Sequence, residues 1–94
     1  MLEAYAEILA LVATIFGILM SAAHFPQALK MYRRKSSADI SLLTYSLFFL
    51  GVCVWLLYGI SISNMPLIAS NFVAVVGTIL VIIVYFKYRK KEVK

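Results

Sequence analysis

The chain has 94 residues, 64% of them apolar and 14% charged, with a net charge of +5, which bounds it to one domain and sets it far from the usage of water-soluble proteins. A soluble domain this small buries only about 60% of its unfolded surface and would expose large apolar patches, so an ordinary cytosolic enzyme is excluded. High apolar content excludes disorder, the single cysteine (Cys53) excludes a disulfide scaffold, and confinement of the basic residues to two clumps between apolar runs argues against a nucleic-acid partner.

Residues 8–29, 40–62 and 66–86 contain no Lys, Arg, Asp or Glu, and each is about the 20 residues that a membrane-crossing helix needs. The expectation is a single unit over 1–94, an all-α membrane protein of three transmembrane helices at about 5–31, 39–62 and 65–89. The third run is rich in β-branched residues, but it lacks the alternating polarity of a barrel strand, and in lipid only helices and closed barrels satisfy every backbone group.

The first span begins with Glu3 and Glu7 instead of positive charge, and its apolar run is too long for a signal peptide. Ala13, Gly17 and Ser21 recur every four residues along it, a ladder that permits close helix approach. Near its end Pro26 removes a backbone hydrogen bond and is expected to kink the helix, Gln27 is placed to bond freed carbonyls, and His24 reads as a packed partner.

The connecting loop carries Ser36-Ser37-Ala38-Asp39, the Ser-x-x-acid spacing of a helix start. In the second span Gly51 and Gly59 flank Trp55 by four residues each way, which predicts room on both sides of the indole, and Cys53 reads as an apolar filler. Asn64-Met65-Pro66 places a capping side chain before a first-turn proline, so the second and third spans are joined by a tight turn. Ser70, Ala74 and Thr78 form a second small-residue ladder on the third span. Asn71 beside them must either bond another helix or face a cavity, since an unpartnered amide in hydrocarbon costs several kcal/mol.

All nine basic residues fall after the first span (Lys30, Arg33, Arg34, Lys35) or after the third (Lys87, Arg89, Lys90, Lys91, Lys94). The positive-inside rule then puts the N-terminus outside and the C-terminus in the cytoplasm, with the basic ends near membrane lipid. In that topology Trp55 lies seven residues before Ile62 and Asn71 five after Pro66, both roughly 8 to 10 Å below the outer end at 1.5 Å per residue. An aromatic face beside an amide suits a sugar, whose ring offers apolar C–H faces and hydroxyls that donate and accept. Three helices enclose too little space for a solute path, so self-association is expected, and it should be parallel because the charge bias is one-sided.

Phe25-Pro26-Gln27, the basic loop Lys35-Ser36-Ser37-Ala38-Asp39-Ile40-Ser41, then Trp55-Leu56-Leu57-Tyr58-Gly59 and Asn71 together resemble the SemiSWEET sugar transporters, bacterial members of the PQ-loop family. The resemblance spans essentially the whole chain. It implies a half-transporter of three helices, the third packed between the first two, that forms a parallel homodimer in the bacterial inner membrane and moves sugar of the glucose or sucrose class by alternating access. By position it puts substrate-binding residues at Trp55 and Asn71, a hinge at Pro26 and Gln27, an inner gating aromatic at Phe48 and an outer gating tyrosine at Tyr58. Some relatives close the outer gate with an Arg and an acid, where this chain has Ile62 and Asn64.

The expected function is facilitated, ion-independent uniport with no cofactor, no metal and no catalytic residue, because an ion-driven carrier needs an intramembrane carboxylate and Glu3, Glu7 and Asp39 fall at span ends. Neither a catalytic triad nor a phosphate-binding loop is present, so an enzyme is not expected. The alternatives are a PQ-loop carrier of another small solute and a non-transporting accessory membrane protein.

Overall fold

The computed structural model describes residues 1–89. Lys90, Lys91 and Lys94 of the expected basic tail lie outside the described residues. A 3-10 turn, Leu2–Tyr5, leads into α1 (Ala6–Ala22), which α2 (His24–Arg34) continues after one residue; α3 (Leu42–Ser61) and α4 (Met65–Tyr88) follow. Among the described residues, Leu2–Arg34, α3 and α4 are the three helical stretches long and apolar enough to cross a membrane, and the bundle measures 57 × 22 × 18 Å. The chain is thus an all-α membrane protein of three spans.

The break between α1 and α2 has a local cause. Pro26 has no N–H to give the Ala22 carbonyl and its ring crowds that oxygen, so helical bonding stops at Ala22, and the Ala23 N–H turns instead to the Met20 carbonyl at 3.2 Å. Gln27 does not repair the gap: its side chain makes no hydrogen bond among the described residues. At the other end of α2, Lys35 adopts a left-handed conformation (φ 54°), and the Ser36 N–H bonds the Met31 carbonyl at 3.3 Å, closing the helix in a Schellman turn.

The Ser36-to-Asp39 segment is not the start of α3, contrary to its spacing. Ser41 is the N-cap, accepting from the Thr44 N–H at 3.2 Å. Ser37 is buried and donates to the Tyr85 carbonyl at 2.7 Å, while Asp39 pairs with Arg34 at 3.0 Å, so both are used elsewhere. The cap at Asn64 is as expected: its side chain accepts from the Leu67 N–H at 3.0 Å, and Pro66 sits in the first turn of α4.

α4 occupies the centre. It packs against α1, α2 and α3, whereas no Cα of α3 comes within 8 Å of one in α1 or α2. The small residues explain this. A Cβ added at Gly17 would lie 2.6 Å from Ser70 Cβ, and one added at Gly77 would lie 2.7 Å from His24 Cβ. The two contacts are seven residues apart on each partner, so the first span and α4 run parallel in a steady register that brings Ala28 and Val81 together with Met31 in the buried core. The hydroxyls of Ser70 and Thr78 bond the Pro66 and Ala74 carbonyls of their own helix at 2.7 and 2.8 Å, which lets a polar stripe be packed in an apolar bundle.

Candidate functional site

Two side-chain clusters stand on α3, one toward each end. The one nearer its C-terminal end joins Trp55 and Tyr58, one helical turn apart, with ring centroids at 5.8 Å and planes at 82°. With Val54 they line a concavity of about 300 Å³. Trp55 is 53% exposed and Tyr58 51%, while Gly59 is buried. The indole therefore points away from the helix's packing face and into open space.

The flanking glycines differ from each other. Nothing lies within 4 Å of a Cβ placed on Gly51, so that side of Trp55 is open, as expected. Gly59 gives no such room: a Cβ there would meet Leu67 Cβ at 2.7 Å, because this is where α3 closes on the start of α4. Its smallness serves the hairpin.

Asn71 is half-buried on α4 and its Nδ2 donates to the Leu67 carbonyl at 2.9 Å. The bond is within its own helix, not across helices. It consumes one N–H and leaves the amide oxygen and the second N–H for a further partner. Within this chain Asn71 is not bonded to Trp55 and does not line the Trp55 concavity.

The cluster nearer the N-terminal end of α3 joins the first and second spans. His24 Nδ1 and the Tyr45 hydroxyl are 3.1 Å apart, and the rings of His24, Tyr45 and Phe48 meet edge to face at centroid separations of 5.5, 6.0 and 5.5 Å. Tyr45 also packs on the core formed by Ala28, Met31 and Val81. Phe48 is half-exposed. Pro26 and the helix break lie one residue to either side of the His24-Phe25 pair. Tyr45 had no role in the sequence reading, although its position three residues before Phe48 puts it on the same helix face.

The basic side chains collect at this end. Lys35 and Lys87 Nζ both approach the Tyr32 ring, at 5.9 and 5.7 Å from its centroid, so the basic clumps after the first and third spans meet. Asp39 is neutralised by Arg34, and Glu3 by the N-terminal amine.

Comparison with known proteins places this arrangement. The family model described as a sugar efflux transporter for intercellular exchange matches residues 7–93. A protein of Leptospira biflexa named sugar transporter SemiSWEET is 36% identical over 77 residues, which cover 82% of this chain and 88% of that one. One of the same name from Bradyrhizobium diazoefficiens is 43% identical over 61 residues, covering 63% of this chain and 71% of the relative. The crystal structure of a bacterial homologue of SWEET transporters superposes with a TM-score of 0.80 at 32% identity, covering 86% of this chain and 98% of that one. With the fold, the length and the motif order in agreement, the chain belongs to the SemiSWEET family.

Proposed function

We propose that this protein is a sugar uniporter that works as a parallel homodimer by alternating access, with Trp55 and Asn71 as the substrate contacts. The observation that carries the proposal is the open aromatic face on α3: Trp55 with Tyr58 edge-on lines a concavity of about 300 Å³ on the side turned away from the protomer's own packing. Ligand pockets span about 300 to 1,000 Å³, and two such faces across a two-fold axis enclose one cavity of that order. The sugar ring stacks on the two indoles, and its hydroxyls bond the free oxygen and N–H of the two Asn71 amides.

The break before Pro26 gives each protomer an inner segment, α2, whose helical bonding is decoupled from that of α1. Bending there opens or shuts the inner side past Phe48, while Tyr58 closes the outer side with apolar packing in place of an ion pair. The basic clumps meeting around Tyr32 support an inner, cytoplasmic assignment for this end and an external N-terminus, in the bacterial inner membrane. The described carboxylates Glu3, Glu7 and Asp39 sit at span ends, Glu3 and Asp39 in ion pairs, which supports transport without ion coupling.

Flux of radiolabelled glucose and sucrose into proteoliposomes, with and without a pH gradient, tests the proposal. Uptake down the sugar gradient that ignores the pH gradient is expected. Absence of flux with either sugar from folded, dimeric protein would turn attention to other small solutes, and failure with those to an accessory role.

A further inference from the structure

We infer that His24 is a positioning residue for the inner gate: its hydrogen bond to Tyr45 clasps the inner half of the first span to the second and holds Phe48 in the inner-closed arrangement. The inference rests on the proposed gating role of Phe48. Four observations carry it. No Cα of α2 lies within 8 Å of one in α3, so side chains must bridge them, and His24, Tyr45 and Phe48 form such a bridge. The His24 side is anchored, because His24 Cβ rests on Gly77 of the central helix, where even an added methyl would lie at 2.7 Å. The Tyr45 side is anchored as well, because Tyr45 packs on the core of Ala28, Met31 and Val81.

The fourth observation is location. His24 is the first residue after the helical break and two residues before Pro26, so any bend at the break moves its ring relative to α3. Phe48 touches both members of the hydrogen-bonded pair edge-on, and it loses its support if they part. Pure packing would be met equally well by two apolar rings. A polar pair inside a membrane adds direction, and interhelical hydrogen bonds there are weak enough to break and re-form within a transport cycle. The clasp therefore biases the equilibrium between inner-closed and inner-open states without locking it.

The test is sidedness. His24→Phe keeps the ring and the Gly77 contact but removes the bond, Tyr45→Phe removes only the hydroxyl, and His24→Asn restores a polar atom near the Nδ1 position. Removing the clasp depletes the inner-closed, outward-facing state, so both Phe variants should raise the external half-saturation constant for sugar about threefold or more and lower the internal one. The double variant should match the single ones, and His24→Asn should recover part of the shift.

A second readout is independent of sugar. In a Cys53→Ser background, spin labels introduced by Arg33→Cys and Leu43→Cys, both exposed positions, report the spacing of the inner ends of α2 and α3. Either Phe variant should lengthen or broaden that distance distribution. An unchanged distribution, or half-saturation constants that move together on both sides, overturns the clasp. Wild-type protein without sugar flux but with a distribution that shifts in the variants would refute the sugar reading while leaving the clasp standing.

Discussion

Gly77 and His24 are in contact so close that the position can hold no side chain: a Cβ on Gly77 would stand 2.7 Å from His24 Cβ and 3.4 Å from Phe25 Cε2. The neighbouring atom is a Cβ fixed to the backbone, so the helices themselves must part. Gly77→Ala is expected to destabilise the protein by about 1 to 3 kcal/mol, the usual cost of overpacking. Gly17→Ala, which meets Ser70 Cβ at 2.6 Å, should cost a similar amount. Gly51→Ala is the control: nothing lies within 4 Å, and Ala is a better helix former by about 1 kcal/mol, so it should be neutral or stabilising. Thermal melting in detergent distinguishes the three.

Pro26→Ala gives back the N–H that the Ala22 carbonyl lacks and removes the crowding that ends α1. A proline inside a helix costs about 3 kcal/mol, so the melting temperature should rise. Sugar exchange should slow about tenfold or more, a barrier change of about 1.4 kcal/mol, because a continuous first span bends less readily. A variant that is both more stable and equally fast would show that the break is a packing feature and not a hinge.

Ser37 ties the loop between the first two spans to the C-terminal end of α4 through its 2.7 Å bond to the Tyr85 carbonyl. Ser37→Ala deletes a buried donor and leaves that carbonyl without it, which should cost about 1 to 3 kcal/mol. Ser36→Ala, whose hydroxyl accepts from the Ala38 N–H at 3.1 Å at an exposed position, should cost less. Chemical denaturation of the pair, read by helical content, provides the comparison.

What the sequence made legible follows how local each cause is. The three spans come from long uncharged runs, and the Asn64 cap with Pro66 is complete within four residues, so both could be read directly. The Ser36-to-Asp39 spacing misled because Ser37 and Asp39 are drawn to Tyr85 and Arg34, partners that no short-range pattern exposes, which leaves Ser41 to cap α3. Gly51 and Gly59 look equivalent around Trp55, yet only the fold decides that one faces open space and the other closes a hairpin. Asn71 was identified by the cost of an unpartnered amide in lipid, but the nearest remedy was the Leu67 carbonyl of its own helix, not another helix. The His24–Tyr45 bond joins residues 21 apart on different spans and was visible only once α4 had set their spacing.

Membrane orientation can be read with an impermeant thiol reagent on intact cells in a Cys53→Ser background. Ser63→Cys, in the turn between α3 and α4, should label from outside, and Lys35→Cys only after permeabilisation. The reverse pattern would invert the assignment of inner and outer ends.

The most direct test of the account is sugar flux into proteoliposomes carrying wild-type protein, Trp55→Ala or Asn71→Ala, with dimer content measured in each preparation. In a symmetric dimer each substitution removes two contacts at once, so flux should fall by at least about tenfold in both variants while the dimer persists. Wild-type flux in folded, dimeric Trp55→Ala and Asn71→Ala would contradict the account, because the aromatic face and the amide would then be packing and not a sugar site.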